Sequence, residues 1–156
     1  MTMVAADRAA VSATPSINPA HAEVRRWLED FAACVRAVDY ERGRAMFAEE
    51  VVGFGTFARM LVGRENLIAG QWKNIWGCTR GFRFVMDEAH VDAGGEMAWV
   101  ATPWHSQGRD EAGNWFDRHG RCTLILKKVD GKWLCVHSHY SRLPVTKKVD
   151  GVTTPA

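Results

Sequence analysis

His105, Tyr140 and the pair His137 and His139 are the side chains of this 156-residue chain best suited to chemistry. An imidazole titrates near neutrality, so His105 can give or take a proton. Tyr140, with Ser138 two residues before it, can aim a hydroxyl at a ligand while its ring lies on apolar surface. His105 and Tyr140 are therefore the candidate catalytic residues. His137 and His139 alternate on one strand, with His119, Arg121 and Thr123 expected on the face they share. Two histidines at i, i+2 bind a metal when a carboxylate or third imidazole joins them. No third ligand stands at a telling spacing, so a polar network or dimer face is expected here, and no metal.

Seven tryptophans are more than a core of this size needs. Phe31, Phe54, Trp72, Trp76 and Trp99, joined by Leu124 and Ser138, are the candidate walls of a ligand pocket, since small-molecule sites are apolar and aromatic with a few polar groups. Asp117 and Arg118 read as solvated charges. No Gly-rich phosphate loop, Gly-x-Ser-x-Gly elbow or zinc-peptidase histidine pair is present. A nucleotide cofactor and serine hydrolysis are not expected on that ground, nor is any other cofactor.

The elements that must position these residues belong to one domain. Apolar residues make up 47% and charged residues 24%, with a formal charge of +2, which is ordinary globular composition. Lys and Arg are scattered rather than gathered in a stripe, so no nucleic-acid partner is expected. No run approaches the ~18 apolar residues of a membrane span, so no membrane partner is expected either. Cys34, Cys78, Cys122 and Cys135 show no C-x-x-C spacing and the N-terminus carries no apolar signal core. Both point to a reduced chain in the cytoplasm.

Residues 1–19 are rich in Ala, Ser and Thr and read as a flexible arm. Residues 20–144 form the domain, and 145–156 a tail. Val24, Trp27, Leu28, Phe31, Val35 and Val38 make one stripe of a first helix beginning at His21. A second helix is expected over Tyr40 to Ala48, with Ala45, Met46 and Phe47 inward, and a short strand over Val51 to Phe54. A third helix runs from Arg64 to Trp76, with Leu67, Ile68, Gln71, Trp72, Ile75 and Trp76 inward. After Gly81, four long runs rich in β-branched and aromatic residues follow: 82–91, 97–106, 115–128 and 132–142. Turn residues separate them, predicting a four-stranded antiparallel meander with a bulge at Pro103. Helices first and strands second make an α+β pattern.

The Asp130-Gly131 turn allows two registers for the last hairpin. A two-residue loop opposes Val129 with Lys132; a three-residue loop opposes Lys128 with Lys132. The second gathers Leu124, Leu126, Leu134 and Val136 on one face, and at roughly 1.5–3 kcal/mol per buried aliphatic side chain it is the expected register. Cys122, Ser138 and Tyr140 continue that face. His119, Arg121, Thr123, His137 and His139 take the other.

This order of elements resembles the NTF2-like superfamily, within it the SnoaL-like and ketosteroid-isomerase-like branch. The residues carrying the likeness are Gly63-Arg64 at the third helix, Trp72, Gly120-Arg121-x-Thr123, and Asp130-Gly131-Lys132-Trp133 leading to Val136-His137-x-His139-x-Ser141. The last stretch also resembles the association domain of calcium/calmodulin-dependent kinase II. The resemblance covers about residues 21 to 144. It implies a cone-shaped α+β barrel, with three N-terminal helices on a curved, mainly antiparallel sheet. It also implies a homodimer packed through sheet faces and a small-molecule pocket under the helices. The arginines of the association domains fall at Leu124 and Tyr140. The isomerase base falls near Val51 to Gly55, where no carboxylate stands. Two functions are expected from this: a small-molecule-binding protein, as an isomerase, cyclase or hydrolase-type enzyme on an apolar or cyclic substrate, or a non-catalytic association module.

Overall fold

The computed structural model describes the backbone of residues 18–144, 146–149 and 152–155 and the side chains of residues 18–144. The expected N-terminal arm lies outside the described residues as far as residue 17. Helix α1 spans Pro19–Ala37 and so starts earlier than expected. Proline suits a first helical position because the N–H it lacks would have no partner there. Asn18 caps the helix by accepting from the Ala20 N–H at 3.1 Å, and its amide donates to the Ala93 carbonyl at 2.8 Å. Val24, Trp27, Leu28, Phe31 and Val35 are buried as their spacing predicts. Val38 is not. It ends the helix in the left-handed region, at φ 55°, and is exposed.

Helix α2, Tyr40–Arg44, is four residues shorter than expected. Strand β1, Phe47–Phe54, takes over, and the Met46 carbonyl accepts from the Cys135 N–H at 2.9 Å. Tertiary pairing thus overrides a weak helical preference. Phe47 is buried, but from a strand, and Ala45 faces solvent. After β2, Leu61–Val62, the expected third helix is four pieces: α3 (Arg64–Leu67), a π-helical turn over Ile68–Trp72, α4 (Lys73–Ile75) and a 3₁₀ turn over Trp76–Cys78. Leu67, Ile68, Gln71, Trp72 and Trp76 are buried and Ile75 is half-buried.

The sheet is larger than a four-stranded meander. The expected run 82–91 breaks into β3 (Thr79–Phe84) and β4 (His90–Gly94), because a 3₁₀ turn over Met86–Glu88 interrupts it. Arg25 on α1 holds that break, donating to the carbonyls of Met86 and Ala89 at 3.0 and 2.8 Å. Strands β5 (Met97–Arg109), β6 (Trp115–Val129) and β7 (Lys132–Arg142) follow. The order is β2-β1-β7-β6-β5-β3, with β4 on the other half of the same edge of β5. β1 is parallel to β7 and every other pairing is antiparallel. Where a plain tail was expected, β8 (Thr146–Val149) and β9 (Val152–Pro155) pair with each other.

Pro103 makes no bulge. The β5–β6 ladder runs unbroken from Met97↔Lys127 to Arg109↔Trp115. The Pro103 carbonyl accepts from the Val85 N–H at 2.9 Å, on the side where the chain passes from β3 to β4. The N–H that proline lacks would point into that crossover, so no ladder bond is lost.

The last hairpin takes the register that was not expected. Val129 opposes Lys132, with φ of 49° at Asp130 and 76° at Gly131, which is the two-residue I′ geometry. Leu126 therefore meets Cys135. Trp133 and Cys135 are buried while Leu134 and Val136 are only half-buried. One large indole outweighs two aliphatic side chains here, and its N–H donates to Glu23 at 2.7 Å. A bulge at Val136 then shifts the ladder by one residue, so that Leu124 meets Ser138 and Cys122 meets Tyr140. Beyond the bulge, Ser138 and Tyr140 share the concave face with Cys122 and Leu124. His137 and His139 share the outer face with Thr123.

The concave face packs on α1 and the Arg64–Cys78 stretch. Large side chains there face gaps. Trp104 lies directly opposite Gly120, and a Cβ on Gly120 would stand 2.2 Å from the Trp104 ring and from the Ser141 carbonyl. Gly120→Ala is therefore expected to destabilise the fold by about 2 kcal/mol or more. Urea denaturation measures this, and a loss under ~0.5 kcal/mol would show that the indole simply moves aside.

Candidate functional site

Between α1, the π-helical stretch and the concave sheet lies a cleft of about 50 Å³, room for a few waters or an acid-sized group. Its walls are aromatic. Phe31 packs against Phe47 at 5.0 Å and against Trp76 at 5.7 Å, and Trp72 stacks on Trp76 at 4.5 Å. Phe82 and Trp104 close the sheet side. Gly43 makes this packing possible, since a Cβ there would meet Trp76 at 3.0 Å and Trp72 at 3.1 Å.

Five polar side chains enter the cleft: Arg118, Gln71, Thr56, Tyr140 and Thr79, whose hydroxyl donates to the Trp76 carbonyl at 3.2 Å. Arg118 is 6% exposed. Strand alternation turns it inward opposite Ser106, and Gly108 leaves space for its stem, where a Cβ would come within 2.7 Å. Among the described residues its guanidinium makes one hydrogen bond, to the Ser106 hydroxyl at 3.3 Å, and lies 5.3 Å from the Trp104 ring. Among the described residues no carboxylate is within ion-pair distance of it. Burial lowers its pKa, and the neighbouring cation Arg142 adds to the shift. A buried cation without a counter-charge is costly, and an anion in the cleft offsets that cost.

The Gln71 Oε1, the Thr56 hydroxyl and the Tyr140 hydroxyl are buried with no hydrogen-bond partner among the described residues. Burial, with the thiols of Cys122 and Cys135 nearby, pushes the Tyr140 pKa well up. It is a neutral donor across the physiological range. Among the described residues no Asp, Glu or His lines the cleft. What it offers is binding, hydrogen-bond donation and stabilisation of negative charge.

The structure brings only some of the expected residues together. Phe31, Trp72, Trp76 and Tyr140 line the cleft. Leu124 and Ser138 are on the right face but sealed in the core, at 0% and 1% exposure. Phe54 packs edge-on against His137 and His139, at 5.2 Å from each, away from the cleft. Trp99 alternates outward and is 46% exposed. His105 also faces outward, directly opposite His119, with its Nε2 3.3 Å from an Asp117 oxygen. His137 binds the Val52 carbonyl at 2.8 Å through Nδ1, and Arg121 donates to Ser141 at 3.3 Å. The sequence reading missed Arg118. The signal it offered was the small residues Ser106 and Gly108 facing it across the ladder.

A curved sheet roofed by helices over an aromatic cleft is the NTF2-like fold, as expected. Residues 24–146 match the model of the SnoaL-like domain, and the chain belongs to that family. A putative calcium/calmodulin-dependent protein kinase II association domain from Xanthomonas campestris is 22% identical, with a TM-score of 0.70 over 92% of this chain and 99% of that one. An NTF2-like superfamily protein from Salmonella enterica is 18% identical, with a TM-score of 0.72 over 85% and 96%. A putative NTF2-like dehydratase from Streptomyces avermitilis is 16% identical, with a TM-score of 0.70 over 81% and 99%. No curated protein matches the sequence. These likenesses show the fold. No helix among the described residues is long and apolar enough to cross a membrane.

Because the Tyr140 hydroxyl has no hydrogen-bond partner among the described residues beyond a weak contact with the Cys122 thiol, Tyr140→Phe is expected to leave the ligand-free protein within about 1 kcal/mol of wild type, or to stabilise it. Thermal denaturation measures this. A clear loss of Tm would mean that the hydroxyl is held in the fold.

Proposed function

We propose that the protein binds a small organic anion, with the acidic group of the ligand on Arg118 and its apolar part against Trp72, Trp76 and Phe82. The observation that carries this reading is the buried Arg118 guanidinium, aimed into a cleft with no carboxylate to answer it. Tyr140 donates a second hydrogen bond to the same group, and Gln71 and Thr56 set orientation. The volume of about 50 Å³ suits a carboxylate or a comparable small acidic group. A ligand bearing a ring would have to displace part of the Trp72–Trp76 stack.

This reading narrows the sequence-based expectation. The aromatic pocket for a small, apolar or cyclic molecule stays, and a negative group is added to the ligand. An isomerase, cyclase or hydrolase on this site would work through Arg118 and Tyr140, by stabilising an enolate or oxyanion, rather than through a carboxylate base. The exposed Met97 and Trp99 on the outer face support self-association as a companion to ligand binding. The four free thiols, three of them buried, support a reducing, cytoplasmic setting.

Calorimetric titration with acetate, propionate and benzoate, each beside its uncharged alcohol, tests the reading. Acetate and propionate are expected to bind, benzoate more weakly because its ring must displace part of the Trp72–Trp76 stack, and the alcohols not. Arg118→Met should weaken the acids more than about tenfold, while raising the Tm of the ligand-free protein because an uncompensated buried charge is gone. Equal binding of acid and alcohol, or unchanged binding in the variant, rejects it. Light scattering addresses the association module. A small closed oligomer fits a ligand-binding role, whereas a ring of many copies with no acid binding favours assembly.

A further inference from the structure

We infer that the outer face of the sheet carries a second site, in which His105, Asp117 and His119 bind one first-row transition-metal dication. The three residues offer one donor atom each, and these atoms all lie within 4.8 Å of one another. Their placement follows from the ladder. His105 on β5 is directly opposite His119 on β6, with ring centroids 4.7 Å apart. Asp117 stands two residues before His119 and therefore shares its face. Donors around a tetrahedral ion with bonds of about 2.1 Å are about 3.4 Å apart. Side-chain rotation alone closes the difference, because all three project from one unbroken stretch of paired backbone.

A second layer holds the carboxylate. Asp117 accepts from the Gln107 amide at 3.2 Å, and the Gln107 carbonyl oxygen accepts from Arg80 at 2.8 Å. Such outer partners orient metal ligands and fix their geometry. Two imidazoles and one carboxylate suit zinc, iron, cobalt or nickel, whereas calcium and magnesium favour all-oxygen sets. Arg83 pairs with His105 from β3, and Arg121 follows two residues after His119 on the same face. With one carboxylate on the ion, the site keeps positive charge and an open position. Those arginines then favour a hydroxide or other small anion as the fourth ligand.

Chelator-stripped full-length protein titrated with zinc sulfate in a calorimeter tests this. One equivalent is expected to bind with Kd below about 10 µM. His119→Asn and Asp117→Asn should each weaken it by about tenfold or more with unchanged circular dichroism, and both residues are exposed enough to be replaced without unfolding the chain. His137→Asn and Cys78→Ser should bind as wild type. Cobalt(II) in place of zinc should give visible d–d bands without thiolate charge transfer. Binding no tighter than about 100 µM, or full affinity in His119→Asn, overturns the proposal.

Discussion

The β5–β6 ladder is the constraint on which the rest of the molecule depends. It pairs residues without a break from Met97 to Arg109. Strand side chains alternate, so a single register assigns two complete sets of neighbours. On the concave side it sets Trp104 against Gly120 and Arg118 against Ser106. On the outer side it sets His105 against His119 and brings Asp117 alongside. A slip of β6 by one residue would turn Arg118 outward and His119 inward while β5 kept its faces. The register is held where a slip is least tolerable, at Gly120, because no other residue leaves room for the Trp104 ring and the Ser141 carbonyl.

That ladder also explains how the fold tolerates a buried cation. Arg118 is not solvated and not ion-paired. It is held by contacts of its neutral parts: the stem beside Gly108, the guanidinium plane near the Trp104 ring, and one hydrogen bond to Ser106. Packing and one neutral hydrogen bond recover part of the desolvation cost and leave a remainder. Three further polar atoms at the same cleft, on Thr56, Gln71 and Tyr140, lack a hydrogen-bond partner among the described residues, as do others elsewhere in the fold, on His21, Trp27 and Arg142 among them.

Much of the architecture was legible in the sequence, and the errors have physical causes. The stripe of α1 and the inward residues of the Arg64–Cys78 stretch follow from periodicity, and the strands β5, β6 and β7 from β-branched and aromatic content between turn residues. The hairpin register does not. Counting aliphatic residues favoured Leu134 and Val136, but the Asp-Gly turn takes the two-residue geometry and Trp133 has both the larger apolar area and a partner in Glu23. The parallel pairing of β1 with β7 was invisible, because nothing local marks a strand edge as the target of a distant segment.

The cleft was harder to read than the fold for a related reason. Sequence favours residues that are chemically conspicuous, and His105 and Trp99 are conspicuous. Whether such a residue matters depends on one bit of information, the face of the strand it occupies. Between Trp115 and Gly120 every residue is polar, aromatic or glycine, so hydrophobic alternation is absent and the face cannot be assigned from that strand. The information sits on the neighbouring strand instead. Ser106 and Gly108 are small at two successive inward positions of β5, next to Trp104, and small residues at inward positions must be filled from across the ladder. From across the ladder that gap is filled by the Arg118 stem, with the Phe116 ring beside it at Gly108. The cation is therefore inside because β5 is hollow beside it, and the same alternation that buries Arg118 leaves Asp117 and His119 on the outside.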